Sequence, residues 1–416
     1  MGPVLLITLD TVRQDVFDSE CFPQSWPTIA SEFARFPNAL ATGVATPHSF
    51  PGIITGEPVV EDGEFTSSAT AVMEFFEGET VVFTNNGHLR AERGYERGTD
   101  EFGDNQLPTN QHVSPQSFVE RVKQIEPINN STILKKAYRW YKSAKPDVEY
   151  HTPKYPAEAV TDWALSELTQ KPPSFLWAHY MDAHKPFNPE NAISPPDANV
   201  SKETLEYLND YDRMDDPPEK KCRHYLKALY EANVRYVDRE IARLLRELRA
   251  FDWYSDALVV LVSDHGELFG EYGHMWHPMT IDPVDELIDV PLAVKFPQGE
   301  RAGKVVDHRV QHADIPATIG TYLQQTDLSP EGTYPLLDSA ERIILSKSNT
   351  SIRVTGSDGH VIRRRDDSRD EYGDISDELW ERAETAEFPD VRTSNGVVRG
   401  LEDVDRMEQL KALGYR

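Results

Sequence analysis

Cysteine is nearly absent, with only Cys21 and Cys222 among 416 residues. Two thiols can build neither a disulfide framework nor a zinc site made of cysteines alone, which excludes the small cysteine-stapled classes of domain. Long apolar runs are lacking too, because none approaches the roughly 20 residues that a membrane-spanning helix needs. The first apolar stretch is short and has no basic leader. We therefore expect no signal peptide, no membrane insertion and a cytoplasmic protein.

Basic residues are scarce as well, since 43 Lys and Arg stand against 70 Asp and Glu for a formal net charge of −27. Such a surface repels nucleic-acid phosphates, so we expect no nucleic-acid partner. The one basic run, 363–365, is followed by two aspartates and is interpreted as a solvated loop. Molar salt shortens the screening length to about 3 Å, so the charge predicts a halophilic protein, with an ordinary acidic protein as the alternative.

Strand and helix patterns alternate along most of the chain. Five apolar segments are predicted as strands: 4–9, 81–84, 174–180, 257–262 and 290–294. Two amphipathic segments are predicted as helices: 156–169 and 221–250. The alternation predicts an α/β fold whose large mixed, mostly parallel sheet lies between helices.

The pattern changes after about residue 335, where short alternating runs surround a turn at 356–359. These runs predict a small antiparallel sheet. We therefore divide the chain into a large α/β domain, 1–335, and a smaller α+β subdomain, 336–416. Within the subdomain, the charged segment 366–377 is predicted as a surface loop and 404–413 as a terminal helix.

Acidic residues follow the two clearest strands. Asp10 ends the first strand, and Asp264 with His265 ends the strand at 257–262. Open α/β sheets place their sites at the carboxyl edge of the strands, so we expect the three side chains to converge. Carboxylate oxygens suit hard divalent cations, and imidazole extends the choice toward manganese or zinc. The sequence predicts one divalent cation (Ca²⁺, Mg²⁺, Mn²⁺ or Zn²⁺) at these residues, with helix or turn capping as the alternative for either aspartate.

Several short motifs together resemble the sulfatase branch of the alkaline phosphatase superfamily. They lie at 6–15, 55–56, 94–100, 175–186, 230–238, 263–271, 289–292, 314–318 and 410–415. Ser263-Asp264-His265-Gly266-Glu267 is the most characteristic of them. The resemblance covers nearly the whole chain and implies a large mixed sheet between helices, with a smaller C-terminal sheet carrying a helix. It also implies a metal-dependent hydrolase of a small-molecule or glycan sulfate or phosphate ester.

The same resemblance implies roles for individual residues. The cation ligands would be Asp10, Asp264 and His265 together with Thr46. The histidines that face the anion would be His184 and either His274 or His277. Lys185 would be a further anion-binding residue. Thr11 stands where many sulfatases have a second acidic residue, so Asp15 is considered as an additional ligand.

Thr46 occupies the register of the nucleophile, counted back from the motif at 55–56. Typical sulfatases have Cys or Ser there, with Pro two residues on and Arg four residues on, and an enzyme oxidises it to formylglycine. This chain has His48 and Phe50 at those two later positions. Oxidation of the secondary alcohol of Thr46 would give a ketone, so we predict an unmodified, cation-bound hydroxyl as nucleophile. Ser49 is the rival, as nucleophile or substrate-binding residue, unless it only caps a helix.

Three other functions stay open. An unmodified Thr46 favours a phosphodiesterase or phosphonate hydrolase over a sulfatase. A transferase that moves a phospho-alcohol group onto a glycan would use the same covalent adduct, and a non-catalytic binder of anionic glycans would need only the cation site. The sequence does not indicate the oligomeric state.

Overall fold

A computed structural model describes residues 2–57, 69–103, 155–189, 191–196, 218–325, 328, 330, 332–389, 391–393 and 396–398. Its helices, apart from short 3₁₀ turns, are α1 (Trp26–Glu32), α2 (Thr46–Thr55), α3 (Ala157–Gln170), α4 (Lys220–Leu248), α5 (Asp285–Ile288), α6 (Asp314–Leu323) and α7 (Asp377–Thr385). Its strands up to the last one in the large domain are β1 (Val4–Leu9), β2 (Ala34–Arg35), β3 (Ala39–Leu40), β4 (Thr80–Phe83), β5 (Glu101–Gly103), β6 (Phe175–Tyr180), β7 (Leu258–Ser263), β8 (Leu268–Phe269), β9 (Met275–Trp276), β10 (Leu292–Lys295) and β11 (Val310–Gln311). The remaining strands are β12 (Ile344–Lys347), β13 (Ser351–Thr355), β14 (Gly359–Arg364), β15 (Arg369–Gly373), β16 (Val391–Thr393) and β17 (Gly396–Val398).

The main sheet has the strand order β2-β10-β7-β1-β6-β4-β5. Only β10 runs against its neighbours, so the sheet is mixed and mostly parallel, as predicted. Strands β1 and β7 lie side by side in register, with Leu9 opposite Ser263. The residues that follow these two strands therefore emerge next to each other at the carboxyl edge.

Helices cover both faces of this sheet, and β1 shows why. Leu5, Ile7 and Leu9 enter one apolar cluster, which α3 and α4 complete. Val4 and Leu6 point the other way, into a cluster completed by α2 and α6. A strand buried on both sides reads as a continuous apolar run, and burying each such side chain stabilises the fold by about 1.5–3 kcal/mol.

A smaller antiparallel sheet, β12-β13-β14-β15, follows in the chain and carries α7. Ser376 caps the start of α7, because its hydroxyl accepts a hydrogen bond from Leu379 N–H at 3.1 Å. The sheet and helix share an apolar cluster of their own, which includes Ile352 and Val361. This arrangement confirms the predicted fold class, while the boundary between residues 335 and 336 stays a prediction.

Two predictions about this sheet are wrong. The segment 366–377 is not simply a loop, because β15 forms its middle part as an exposed edge strand. Such a strand has no apolar face to signal it in the sequence. The basic run 363–365 is not a solvated loop either, because β14 includes Arg363 and Arg364 and all three arginines are half-buried. Arg364 pairs with Asp282 at 2.6 Å, and Arg363 and Arg365 lie over the Phe388 ring. The helix predicted at 404–413 lies outside the described residues. Among the helices that the structure describes, none is long and apolar enough to span a membrane.

Candidate active site

The three residues predicted to bind a cation converge at the carboxyl edge of the main sheet. Asp10 follows β1, and Asp264 and His265 follow β7. All three side chains are completely buried. One ligand atom from each lies within 4.8 Å of the others, so these three described residues can together hold a metal ion. We call Asp10, Asp264 and His265 the cation group.

Asp264 is oriented by the backbone. Its Oδ1 accepts hydrogen bonds from the N–H groups of Thr11, at 3.0 Å, and His265, at 2.8 Å. Thr11 adopts a left-handed φ of 58°, which a β-branched residue rarely does, and this strained conformation places its N–H near the carboxylate. Gly266 lets the motif pass close to α5, since a Cβ there would lie 2.0 Å from the Glu286 carbonyl oxygen. Oδ2 of Asp264 is left to face the site.

Side chains orient Asp10 instead. Its Oδ2 accepts hydrogen bonds from Asn86 Nδ2 at 2.7 Å and His179 Nε2 at 3.0 Å. Its Oδ1 is buried and has no hydrogen-bond partner among the described residues. A buried carboxylate oxygen without a donor is costly, and a cation is the species that compensates it best.

His265 is held in the form that can bind a metal. Its Nδ1 lies 2.8 Å from the Gly266 carbonyl oxygen, which can only accept, so Nδ1 carries the hydrogen. Nε2 therefore presents its lone pair, 3.5 Å from Asp264 Oδ2. Burial and the neighbouring His277 lower the pKa of His265 well below its ordinary value, so the ring is neutral at neutral pH.

The two carboxylates have opposite pKa shifts. Burial and the negative charge of Asp10 raise the pKa of Asp264 well above its ordinary value. For Asp10, burial opposes ionisation, but His184 and other neighbouring histidines outweigh it and lower the pKa. The first proton that the pair takes up therefore goes to Asp264. The unpaired oxygen, the neutral imidazole and the two close carboxylates fit a divalent cation.

Thr46 is the first residue of α2 and reaches the same place. Its Oγ1 donates to Asp264 Oδ2 at 3.0 Å and lies 3.4 Å from His265 Nε2. Pro47 in the first turn costs no hydrogen bond, and Gly56 ends the helix at a left-handed φ of 76°. The helix therefore starts at Thr46 and directs the positive end of its dipole toward the site.

Ser49 is directed elsewhere. It lies inside α2, and its hydroxyl donates to the Gly43 carbonyl at 3.0 Å, so it does not cap a following helix. A Cβ at Gly43 would lie 2.1 Å from that of His48, so only glycine allows the backbone at position 43 to pack this closely against α2. The Ser49 hydrogen bond joins these two segments.

His277 rather than His274 joins the other site histidines. Its ring centroid lies 4.5 Å from that of His265 and 5.1 Å from that of His184. Its Nδ1 lies 3.0 Å from Oε1 of the buried Glu267. Burial lowers the pKa of His277 to about 4 and raises that of Glu267 to about 8, so the pair holds one proton at neutral pH.

Among the described residues, neither His274 nor Asp15 belongs to the group of converging ligand atoms that Asp10, Asp264 and His265 form. His274 directly precedes β9 and is half-buried. The Lys185 ammonium lies 5.0 Å from the centroid of the Trp276 ring, in a cation–π contact. Asp15 does not approach the cation group, because its carboxylate pairs with Arg13 at 2.7 Å and is half-exposed.

Four residues at the site were not predicted from the sequence: Asn86, His88, His179 and Glu267. Asn86 follows β4 at the carboxyl edge, and His179 is a polar residue within an apolar strand; both positions could have signalled a role. His88 is half-buried and close enough to Asp10 for that charge to affect its pKa, although burial dominates and lowers the pKa to about 3.

A family model described as Sulfatase matches residues 3–325. The chain belongs to the sulfatase family. Membership of this family makes the chain a hydrolase of ester bonds, as predicted. A search of curated protein sequences found no significant match to the chain.

Solved structures share the fold of this sulfatase-family chain at low sequence identity. A phosphonate monoester hydrolase from Silicibacter pomeroyi has a TM-score of 0.63 and 14% identity, over 97% of this chain and 100% of that one. A protein in complex with its substrate D-glucosamine-2-N,6-O-disulfate has a TM-score of 0.60 and 16% identity, over 89% and 91%. A phosphonate monoester hydrolase of Agrobacterium radiobacter has a TM-score of 0.59 and 13% identity, over 90% and 89%.

Proposed function

We propose that this chain hydrolyses an anionic ester by attack of the unmodified Thr46 hydroxyl, beside a divalent cation bound by Asp10, Asp264 and His265. The observation that carries the proposal is the position of Thr46 Oγ1, 3.0 Å from Asp264 Oδ2 and 3.4 Å from His265 Nε2. A hydroxyl becomes a useful nucleophile only when a base or a cation activates it, and this position lies beside the residues that would hold the cation.

Each proton in this reaction has a source and a destination. A bound cation would lower the pKa of the Thr46 hydroxyl, so its proton leaves to solvent before Oγ1 forms the bond to sulfur or phosphorus. The bond to the leaving alcohol breaks, and that oxygen takes the proton held by the pair of His277 and Glu267. Water then attacks the sulfur or phosphorus, gives one proton back to the pair of His277 and Glu267, and breaks the bond to Thr46 Oγ1. A bound divalent cation supplies Lewis-acid stabilisation of the anionic oxygens.

The donor set favours manganese or zinc over calcium. Asp10 and Asp264 each have one oxygen engaged by N–H groups, so each offers a single oxygen to the cation. His265 Nε2 and Thr46 Oγ1 complete a set of four protein atoms. Calcium usually takes six to eight oxygen ligands, whereas an imidazole nitrogen and a low coordination number suit Mn²⁺ or Zn²⁺.

We propose phosphorus esters, including phosphonates, as better substrates than sulfate esters. Thr46 cannot give formylglycine, and Phe50 stands where the modification motif has Arg. The solved structures of the same fold include both a protein bound to a sulfated sugar and two phosphonate monoester hydrolases, so a glycan or a small molecule remains open as the alcohol.

A matched panel of aryl sulfate, phosphate monoester, phosphodiester and phosphonate esters tests the proposal. Each is assayed with Mn²⁺, Zn²⁺, Mg²⁺ or Ca²⁺, at low and high salt. We expect cation-dependent cleavage of phosphorus esters and slower cleavage of sulfates. Efficient sulfate cleavage would contradict the substrate assignment, and binding of every ester without cleavage would favour the non-catalytic glycan binder. Product transferred to an added sugar in preference to water would indicate the phospho-alcohol transferase.

A further inference from the structure

A chain of three hydrogen bonds lies beneath the cation group, between strands β1 and β6. Trp177 Nε1 donates to Thr8 Oγ1 at 2.8 Å, Thr8 Oγ1 lies 2.8 Å from His179 Nδ1, and His179 Nε2 lies 3.0 Å from Asp10 Oδ2. None of these four side chains has measurable solvent exposure. The pairing of the two strands creates the chain, because Thr8 is the register partner of His179.

The direction of these bonds follows from the donors available. The Trp177 indole can only donate, so it occupies one lone pair of Thr8 and leaves the Thr8 hydrogen free to reach His179 Nδ1. The opposite arrangement would turn a bare Nε2 lone pair toward the Asp10 carboxylate, which is repulsive. Nε2 of His179 therefore carries a hydrogen and donates it to Asp10.

The nucleophile helix packs on the same chain. The Phe50 ring lies 5.3 Å from the Trp177 ring and 5.3 Å from the His179 ring, measured between centroids. Phe50 belongs to α2, whose first residue is Thr46. The orientation of His179 is thus fixed from below by hydrogen bonds and from the side by the helix that presents the nucleophile.

We propose that Trp177, Thr8 and His179 position Asp10 for cation binding, by keeping Oδ2 engaged so that Oδ1 alone faces the cation. This inference rests on the proposed function, because it assumes that the cation group takes up a metal. Asp264 is held by backbone N–H groups, which every substitution except proline leaves in place. Asp10 is held by side chains, so it is the ligand whose orientation a substitution can release.

Cation affinity of the metal-stripped protein tests this role without any substrate. We compare His179→Leu, which loses the donor, with His179→Gln, which keeps an N–H group in reach of Asp10, and with Thr8→Val, which removes the Thr8 hydroxyl at nearly constant volume. Thr318→Val is the control, because Thr318 is a buried hydroxyl in α6 that donates to the Asp314 carbonyl instead. Calorimetric titration with Mn²⁺ and with Zn²⁺ gives the affinity, and circular dichroism confirms folding.

We expect His179→Leu and Thr8→Val to bind the cation about 10- to 100-fold more weakly, as substitutions behind metal ligands usually do. His179→Gln should recover much of that loss, and Thr318→Val should bind as the wild type does. At saturating cation, kcat should fall far less than the affinity, because Thr46 is unchanged. Equal affinity of wild type and His179→Leu would overturn the positioning role alone, whereas a wild type that takes up neither cation would overturn the proposed function.

The tautomer of His179 provides a second test that needs no folded variant. Nitrogen-15 spectra of histidine-labelled, metal-stripped protein distinguish a ring protonated at Nε2 from one protonated at Nδ1. We expect a hydrogen on Nε2 of His179. A neutral ring protonated only at Nδ1 would overturn the proposal.

Discussion

Two groups of carboxylates in this protein show how differently the same side chain can be used. The cation group contains Asp10 and Asp264, both completely buried, with N–H donors engaging one oxygen of each. The edge group contains Glu79, Glu101 and Glu167, near the outer strands β4 and β5, where Glu79 is exposed and the other two are half-buried. Donors from the fold orient the first group, whereas burial and mutual repulsion raise the pKa of Glu167 in the second.

An acidic cluster is not by itself a site. In the edge group, burial and the like charges of Glu101 and Glu79 raise the pKa of Glu167 to about 7. In the cation group, the pKa values of Asp10 and Asp264 shift in opposite directions. There, Oδ2 of Asp264 faces the neutral imidazole of His265 and the hydroxyl of Thr46. Orientation by donors, more than the number of negative charges, marks the reactive group.

The largest effect is expected from the nucleophile beside the cation group. Thr46→Ala should lower kcat by orders of magnitude while leaving the fold intact, because the hydroxyl forms the covalent bond. Thr46→Ser keeps the attacking oxygen and should keep much of the activity, and Ser49→Ala, whose hydroxyl bonds to Gly43, should cost much less. Steady-state kinetics on the best phosphorus ester check this ranking, and equal losses for Thr46→Ala and Ser49→Ala would contradict it.

The second effect separates the two groups by their response to metal. Adding Mn²⁺ at about 100 times its dissociation constant should stabilise the stripped wild type by about 2.7 kcal/mol, seen as a rise in melting temperature. Asp264→Asn should abolish this rise but change the stripped protein little, because burial and the charge of Asp10 disfavour the charged form of Asp264 there. Glu101→Gln, in the edge group, should keep the full rise. A metal-induced rise that survives in Asp264→Asn would place the cation elsewhere.

The same raised pKa predicts how cation binding depends on pH. Asp264 must lose its proton for the cation to bind, so the apparent affinity should increase as pH rises toward the pKa of the stripped state. Calorimetry in buffers of different ionisation enthalpy measures the protons released per cation. An affinity that does not change with pH, with no proton release, would contradict the assignment.

Salt should act on the surface charge and leave the cation group nearly unaffected. The net charge of −27 predicts that the melting temperature rises by several degrees between about 0.1 M and about 2 M potassium chloride. The rise should shrink when Glu79, Glu101 and Glu167 are all changed to Gln. It should persist in Asp264→Asn, because buried charges are screened much less. A salt series that lowers or does not move the melting temperature would exclude halophilic behaviour.

The smallest effect is expected from Glu167 alone. Its pKa rises from 4.5 in the unfolded chain to about 7 in the fold, so the folded state binds more protons between these values. Stability from this group is therefore complete below about pH 4.5 and is lost as pH rises to about 7. Glu167→Gln should flatten that part of the stability curve by less than about 1 kcal/mol, since the group is partly solvated. Urea unfolding at several pH values checks this.

The sequence predicts the large sheet and its cation group well, for a physical reason. Asp10 and Asp264 each follow a six-residue strand that is largely apolar. Neighbouring parallel strands end at the same edge of a sheet, so the pattern predicts that the two aspartates lie close together. The residues that orient Asp10 could not be read in the same way. His179 lies inside an apolar strand and Asn86 in a loop, and their contact with Asp10 depends on the order of strands β1, β6 and β4.

The errors have similar causes. Strand β15 is polar because both of its faces are largely solvated, so no alternation reveals it. Asp15 was a plausible ligand by its distance in sequence, yet Arg13 binds it. The sequence leaves His274 and His277 as open alternatives and makes no wrong choice between them, because only the fold of the loop brings His277 beside Glu267.

The most direct test of the account is to trap the ester on Thr46. The protein, loaded with cation, is mixed with an excess of an aryl phosphate or phosphonate, quenched in acid within its first turnovers, digested and analysed by peptide mass spectrometry. The account predicts one phosphoryl or phosphonyl group on Thr46 of the wild type and none on the matching peptide of Thr46→Ala. An adduct on Ser49 or another residue, with Thr46 unmodified, would contradict it.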